Sequence, residues 1–142
     1  MKEKKVSRLV VFVDGASRGN PGPAAVGAVF QDAEGRVLRT LSQAIGVATN
    51  NTAEYCALIF ALQEALMMGA TELEIFTDSE LMARQLNGQY KIKEASLKLL
   101  FLLAGHLKKG FKKTVVKHIP REQNRLADAQ ANRALDGGNL FL

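Results

Sequence analysis

Apolar and polar residues follow two different spacings along the chain, and these spacings separate the predicted strands from the predicted helices. Residues 6–13 contain a continuous apolar run, which is typical of a strand buried on both faces. Residues 24–31 and 36–47 are strand-like and are joined by the short turn DAEG, so a hairpin is expected. Residues 72–77 alternate in polarity, and 113–119 is the last predicted strand.

Helical signals predict four helices among these strands. Asn51 or Thr52 is suited to cap the first helix, and Gly69 is suited to end it. The predicted helices span 52–68, 79–86, 95–109 and 123–135. The order β-β-β-α-β-α-α-β-α predicts an α/β fold with a five-stranded mixed sheet, in which three antiparallel strands are followed by two parallel ones and helices flank the sheet.

Length and composition narrow the class of protein. The 142 residues suit a single domain over 1–142, with a core at about 6–135 and a C-terminal tail at 136–142. No apolar stretch approaches the roughly 20 residues that cross a bilayer, and the basic N-terminus lacks a cleavage-type run of small residues. The single cysteine, Cys56, allows no intramolecular disulfide. We therefore expect a cytoplasmic protein that does not enter a membrane.

Positive charge is concentrated in one part of the sequence. Residues 89–125 hold ten basic side chains against two acidic ones, whereas residues 1–88 hold eight basic and ten acidic. A stretch of one sign attracts polyanions such as nucleic acids. The same pattern also arises when a helix face and a strand are simply kept soluble, and charge alone leaves both interpretations open.

Four acidic residues stand out against this pattern. Asp14 follows the first predicted strand and Asp78 follows the fourth, so parallel pairing of those strands brings the two carboxylates together. Like charges held close together indicate a bound cation or a shared proton. Glu54 lies on the apolar stripe of the long helix, and Asp128 lies on the small apolar face of the last one.

Simpler explanations exist for the two helical acids. Glu54 also suits a first turn, where the helix dipole favours an acid, and Asp128 also suits an exposed surface. Four carboxylates without a convergent set of histidines or cysteines nevertheless indicate an oxygen-ligand site for a hard cation. Two Mg²⁺ ions roughly 4 Å apart can activate water and stabilise the leaving oxygen of a phosphodiester.

The acids lie within four sequence blocks that are specific to a known family. These blocks are VDGASRGNPGPAAVGAV (13–29), TNNTAEYCAL (49–58), FTDSEL (76–81) and HIPREQNRLADAQANRAL (118–135). On these blocks, which occur in the family's order and extend over essentially residues 8–135, the chain resembles ribonuclease H of type 1, particularly its short prokaryotic form.

The resemblance implies an activity and a set of site residues. It implies a metal-dependent endonuclease that cuts the RNA strand of RNA–DNA hybrids and leaves a 5′-phosphate and a 3′-hydroxyl. The implied cofactor is a pair of Mg²⁺ ions, for which Mn²⁺ can substitute. The implied catalytic metal ligands are Asp14, Glu54, Asp78 and Asp128. The implied contacts to the hybrid are Gly15, Ala16, Ser17, Asn20, Thr49, Asn50 and Asn51, although the last two are also suited to capping a helix.

Three further residues are candidates for accessory roles. Asn124 lies four residues before Asp128 and is suited to support the site, as is Ser79 directly after Asp78. The family often has a mobile histidine shortly before its last aspartate, and His118 is the candidate for that role. Its position directly after an apolar strand also suits an ordinary strand end.

The chain departs from the family pattern in two places. It has no long basic insertion after the second predicted helix, so Lys91, Lys93 and Lys98 are left to contact the hybrid there. Val47 stands two residues before Thr49, where some relatives hold a DNA phosphate with arginine, and this puts that pocket in doubt.

Three alternatives to a hybrid-cutting enzyme remain from the residues themselves. They are a nucleic-acid-binding module that has lost catalysis, a DNA nuclease or strand-transfer domain that uses the same acids, and an acid-rich structural fold. We expect a monomer that binds RNA–DNA hybrid, and the sequence does not identify its protein partners.

Overall fold

A computed structural model of the chain describes residues 7–137. The strands are β1 (Arg8–Ser17), β2 (Gly22–Gln31), β3 (Val37–Ala48), β4 (Glu72–Thr77) and β5 (Lys113–His118). The helices are α1 (Asn50–Met67), α2 (Glu80–Leu86), α3 (Ala95–Lys108) and α4 (Arg125–Gly137), and a single 3₁₀ turn, Arg121–Gln123, precedes α4.

The five strands form one mixed sheet in the order β3-β2-β1-β4-β5. β1 pairs antiparallel with β2, and β2 pairs antiparallel with β3. β4 pairs in parallel with both β1 and β5. The predicted fold class is therefore confirmed, including the change from antiparallel to parallel pairing at β1.

Helices cover both faces of the sheet, and two glycines let them approach the strands closely. A Cβ atom at Gly15 would lie 2.1 Å from the carbonyl carbon of Ala53 in α1. A Cβ atom at Gly27 would lie 2.3 Å from the carbonyl oxygen of Ala127 in α4. Because Gly27 pairs with Asp14, the residue next to Gly15, the two glycines face opposite sides of the sheet. α1 and α4 therefore pack on opposite faces.

Several predicted boundaries shift, and each shift has a local cause. β1 continues past Asp14 to Ser17, because its pairing with β2 persists after its pairing with β4 has ended. α1 begins two residues earlier than predicted, and its N-cap is Thr49, whose Oγ1 accepts the N–H of Thr52 at 3.2 Å. The prediction of Asn51 or Thr52 as the cap was therefore wrong.

The ends of the described region bear on two further predictions. Residues 136 and 137, predicted as the start of a tail, complete α4, and 138–142 lie outside the described residues. Within residues 7–137, no helix has the length and hydropathy that crossing a membrane requires.

Candidate active site

Carboxylates from separate elements meet at the carboxyl end of the parallel strands. Asp14, Glu54 and Asp78 each offer an oxygen atom, and these oxygens lie within 4.8 Å of one another. Asp128 lines the same cleft of about 390 Å³. We call it the acidic cleft, and its lining residues are Asp14, Gly15, Ala16, Ser17, Asn50, Asn51, Glu54, Asp78, Ser79, Arg121 and Asp128.

Strand pairing explains why the two aspartates of the sheet meet. Val13 is the last residue of β1 that pairs with β4, and it lies opposite Thr77. Asp14 and Asp78 are the next residues along the two parallel strands, so both carboxylates project from the same edge. Asp14 remains within β1 because it also pairs with Gly27 of β2, and it is therefore held by a strand rather than a loop.

Glu54 reaches the same point from α1. Its side chain is 8% exposed, and its Oε1 accepts the N–H of Gly15 at 2.5 Å. This contact depends on the close approach of α1 to β1, which any side chain at Gly15 would prevent. Because α1 begins at Asn50, Glu54 lies beyond the first turn, where the dipole explanation does not apply.

Asn124 joins the elements that carry the aspartates. It is 1% exposed, and its Nδ2 donates to the carbonyl of Val13 at 2.9 Å and to Oδ2 of Asp78 at 3.2 Å. Its backbone carbonyl accepts the N–H of Asp128 at 3.1 Å. Asn124 thus fixes the end of β1 and one carboxylate through its side chain, and the start of α4 through its backbone.

Comparison with known proteins agrees with this arrangement. The family model described as reverse transcriptase-like matches residues 12–134. A ribonuclease HI of Halobacterium salinarum is 44% identical over 129 residues, which are 91% of this chain and 65% of that protein. The crystal structure of RNase H1 from Halobacterium salinarum superposes with a TM-score of 0.90 and covers 92% of this chain and 99% of that one. The chain belongs to the type 1 ribonuclease H family.

Two further relatives show how far the likeness extends. A bifunctional protein of Mycobacterium tuberculosis is 44% identical over 130 residues, which are 91% of this chain but 36% of that protein. The chain thus spans about a third of the mycobacterial relative. LC11-RNase H1, solved in complex with an RNA/DNA hybrid, is 44% identical with a TM-score of 0.87, covering 91% of this chain and 97% of that one.

Burial and mutual repulsion raise the pKa values of two acids in the acidic cleft. Burial is the largest cause for Asp14, and with the charges of Glu54, Asp78 and Asp128 it raises the pKa to about 9. Burial also raises the pKa of Glu54 to about 8, against the opposing effects of the Gly15 N–H and the positive charge of Arg121. The cleft therefore favours whatever neutralises it, either protons or cations.

The predicted hybrid contacts fall into two groups. The residues that line the acidic cleft are Gly15, Ala16, Ser17, Asn50 and Asn51. Asn20 and Thr49 do not line the cleft but fix the start of α1, which does. The Asn20 Oδ1 accepts the N–H of Asn50 at 3.0 Å, and Thr49 caps α1. The Ser17 hydroxyl donates to the Ala48 carbonyl at 2.8 Å, which ties β1 to the end of β3.

The accessory candidates separate in the same way. Ser79 lines the acidic cleft and caps α2, where its Oγ accepts the N–H of Met82 at 3.1 Å. His118 is the last residue of β5, pairs with Thr77, and does not line the cleft. It lines a different groove of about 450 Å³. We call this the histidine groove, and its lining residues are Glu80, Ala83, Arg84, Asn87, Gln89, Val116, Lys117 and His118.

Arg121 is the cleft residue that sequence reasoning did not single out. It begins the 3₁₀ turn between β5 and α4 and, among the described residues, is the one basic side chain that lines the acidic cleft. Its only signal in the sequence is a place among ten basic residues of 89–125. Charge counting does not distinguish Arg121 from its neighbours, because the distinction comes from the turn that carries it.

Proposed function

We propose that the chain is a metal-dependent endonuclease that hydrolyses the RNA strand of RNA–DNA hybrids, leaving a 5′-phosphate and a 3′-hydroxyl. The observation that carries the proposal is the convergence of Asp14, Glu54 and Asp78 within 4.8 Å, with Asp128 in the same cleft. Family membership supports the reaction class. The similar LC11-RNase H1, solved with an RNA/DNA hybrid, supports the substrate.

The residues of the cleft fit a pair of divalent cations. All four acids offer hard oxygen ligands, the type that Mg²⁺ and Mn²⁺ take. Clustered carboxylates with raised pKa values gain most from a cation, which removes their repulsion. Two such ions would supply an activated water and offset the charge on the departing 3′ oxygen. The proposed ligands are Asp14, Glu54, Asp78 and Asp128.

The chain's own residues position the ligands and the hybrid. Asn124 holds Asp78 in place, and the Gly15 N–H orients the Glu54 carboxylate. The lining of the cleft offers bare backbone at Gly15, a methyl group at Ala16 and the side-chain amides of Asn50 and Asn51. A wide, shallow minor groove that exposes 2′-hydroxyls on one strand suits such a lining, because amides can donate to and accept from a hydroxyl.

The deciding experiment compares four labelled substrates: an RNA–DNA hybrid, single-stranded RNA, duplex RNA and duplex DNA. Each is incubated with Mg²⁺, Mn²⁺ or a chelator, using the natural chain and Asp78→Asn. We expect metal-dependent cutting of the RNA strand of the hybrid, which the variant loses. Binding without cutting under every metal would indicate an inactive module, and cutting of duplex DNA would indicate a DNA nuclease.

Three accompanying expectations stay predictions. They are a single domain over 1–142, a monomeric state and a cytoplasmic location. Sedimentation equilibrium tests the second, and fractionation of cells that produce the chain tests the third.

A further inference from the structure

The helix that follows Asp78 is short and adjoins open space in two places. α2 begins two residues after Asp78 and contains seven residues. It contributes Ala83 to the histidine groove. It also contributes Leu81 and Gln85 to a second cavity, of about 480 Å³, which extends to Leu97 at the start of α3. Because close packing is interrupted at both places, apolar contacts alone do not fix the position of α2.

A buried hydrogen bond joins α2 to α1. The Tyr55 hydroxyl donates to Oε1 of Gln85 at 2.6 Å, and the two residues are 1% and 6% exposed. We call this the α1–α2 hydrogen bond. Within residues 7–137, it is the one side-chain hydrogen bond between these two helices, and no ion pair joins them. Little water can replace either partner, so breaking the bond leaves a buried polar group unsatisfied.

Each end of the α1–α2 hydrogen bond is attached to an acid of the cleft. Tyr55 directly follows Glu54 in α1. On the other helix, the Thr77 Oγ1 accepts the N–H of Ser79 at 3.0 Å, and Ser79 caps α2, so Asp78 lies between two fixed residues. Carboxylate oxygens of Glu54 and Asp78 lie within 4.8 Å of each other. A shift of α2 relative to α1 therefore changes the separation of these two acids.

The bonds within the cleft hold each acid to β1 rather than to the other acid. The Gly15 N–H donates to Glu54, and Asn124 donates both to Asp78 and to the carbonyl at the end of β1. These bonds act directly on the carboxylates. The α1–α2 hydrogen bond instead joins the helices behind them, so it restricts a movement that the bonds within the cleft leave open.

We propose that Tyr55 and Gln85 are positioning residues, whose hydrogen bond sets the separation of Glu54 and Asp78 and thereby the affinity of the cleft for divalent cations. This inference rests on the function proposed above, in which both acids are metal ligands. Neither Tyr55 nor Gln85 lines the acidic cleft, so both act through the helices that carry the ligands. A hydrogen bond suits this task because it depends on distance and angle, whereas apolar contact is non-directional.

The test uses substitutions that keep the approximate shape of both side chains. Tyr55→Phe leaves the Gln85 oxygen without its donor, and Gln85→Met leaves the Tyr55 hydroxyl without its acceptor. Each single variant should therefore unfold at a lower temperature than the natural chain. The double variant removes both polar groups, so its melting temperature should return towards the natural value. It thus retains the fold and lacks the bond.

Metal affinity is the readout that separates positioning from stability. Isothermal titration of Mn²⁺ without substrate should show about tenfold weaker binding for each single variant and for the double variant, the lower end of the cost of losing a group that orients a metal ligand. The double variant should lose no more than a single one, because all three lack the same bond. In hybrid cleavage, kcat should fall at limiting Mn²⁺ and recover at excess Mn²⁺, with KM for the hybrid unchanged.

Asn87→Ala is the matched control. It removes the bond from the end of α2 to the Val116 carbonyl and leaves the α1–α2 hydrogen bond intact. Its Mn²⁺ affinity and kcat should equal those of the natural chain. Equal weakening of Mn²⁺ binding by Asn87→Ala would overturn the inference in favour of a general loosening of α2. If the double variant does not fold, Tyr55→Phe is the variant on which the Mn²⁺ criterion is decided.

The two proposals fail in different ways. If the natural chain binds Mn²⁺ but cuts no hybrid, the proposed function fails and the titration still decides the role of Tyr55 and Gln85. If the natural chain cuts hybrid and the double variant binds Mn²⁺ as tightly as the natural chain, the proposed function stands and the inference is overturned. If the natural chain neither binds Mn²⁺ nor cuts hybrid, both fail.

Discussion

Two grooves lie near the carboxyl ends of β4 and β5, and they hold their charges in different ways. The acidic cleft draws carboxylates from β1, α1, α4 and the segment after β4, and two of them, Asp14 and Glu54, are buried with raised pKa values. The histidine groove carries charges at its surface, where Arg84 pairs with Glu80 at 3.7 Å. Exposed pairs of this kind contribute about 0–1 kcal/mol to stability.

The difference shows what marks a reactive site in this fold. Charges in the histidine groove are solvated and cost little to maintain, so their positions need no ligand. The acidic cleft instead gathers like charges that oppose folding unless protons or cations neutralise them. A cluster with that cost points to the cleft, rather than the histidine groove, as the place where chemistry occurs.

The sharpest test removes one acid from each groove. Asp78→Asn should lower kcat for hybrid cleavage by at least about 1,000-fold, because loss of a metal ligand removes several kcal/mol of charge stabilisation. Glu80→Gln, two residues away in the histidine groove, should leave kcat near that of the natural chain. The melting temperature of Asp78→Asn should stay the same or rise, since repulsion is relieved. Wild-type cleavage by Asp78→Asn would show the metal assignment to be wrong.

An asparagine at each groove holds a strand carbonyl: Asn124 is buried behind the acidic cleft, and Asn87 lines the histidine groove. Nδ2 of Asn124 donates to Val13 and to Asp78, whereas Nδ2 of Asn87 donates to the carbonyl of Val116 at 3.2 Å. Asn124→Ala should lower activity or Mn²⁺ affinity by about 10–100-fold, the usual cost of losing a group that orients a metal ligand.

Asn87→Ala is the control, because it removes a similar bond to backbone without touching an acid. Thermal unfolding, hybrid cleavage and calorimetric Mn²⁺ titration are measured for both variants. Equal losses of activity for both would mean that Asn124 acts through general stability rather than through Asp78.

The raised pKa values of Asp14 and Glu54 predict a pH dependence of stability that arises in the acidic cleft. In the unfolded chain Asp14 and Glu54 ionise near 3.8 and 4.5, whereas in the fold their pKa values are about 9 and 8. At a pH between the unfolded and folded pKa values, the folded chain holds protons that the unfolded chain releases. The free energy of unfolding therefore falls as pH rises, by about 1.4 kcal/mol per pH unit for each proton released.

Urea unfolding of the metal-free chain at several pH values between about 5 and 8 measures this slope. Mn²⁺ should reduce the slope, because it binds the ionised acids and stabilises the fold more at high pH. Asp14→Asn should reduce the slope even without metal, whereas Glu80→Gln should leave it unchanged. A flat profile for the natural metal-free chain would contradict the raised pKa values.

The sequence predicted the fold and the acidic cluster because both follow from local signals. Within residues 7–137, apolar runs and helical spacing located the five strands and four α-helices, and Asp14 and Asp78 meet because each follows a paired residue of adjacent parallel strands. Glu54 was placed correctly on the inner face of α1 by its spacing from Leu58.

What the sequence did not predict depends on contacts between distant segments. The cap of α1 is Thr49 rather than a later residue, because the end of β3 and the Asn20 amide fix where the helix begins. Arg121 and His118 are three residues apart, yet they line different grooves. A 3₁₀ turn between a strand and a helix decides that separation, and a single turn of this length has no apolar periodicity that reveals it.

The smallest expected effect concerns the two histidines. His118 is the candidate for a mobile catalytic base, and His106, exposed in the last turn of α3, is the matched control. His118 ends a paired strand opposite Thr77 and lines the histidine groove, so it is not positioned to exchange a proton with a substrate held among the four acids. General acid–base catalysis contributes about 10²–10⁴-fold.

We therefore expect His118→Ala to lower kcat by less than about tenfold and His106→Ala to leave it unchanged, measured on the same hybrid near neutral pH. A loss of about 100-fold or more at His118 alone would mean that the end of β5 detaches from β4 during turnover and carries the histidine into the acidic cleft. The two grooves would then be separate only in the absence of substrate. The hydrogen bond from the N–H of Ile119 to the carbonyl of Thr77, which joins the end of β5 to β4, would be the contact that breaks during turnover.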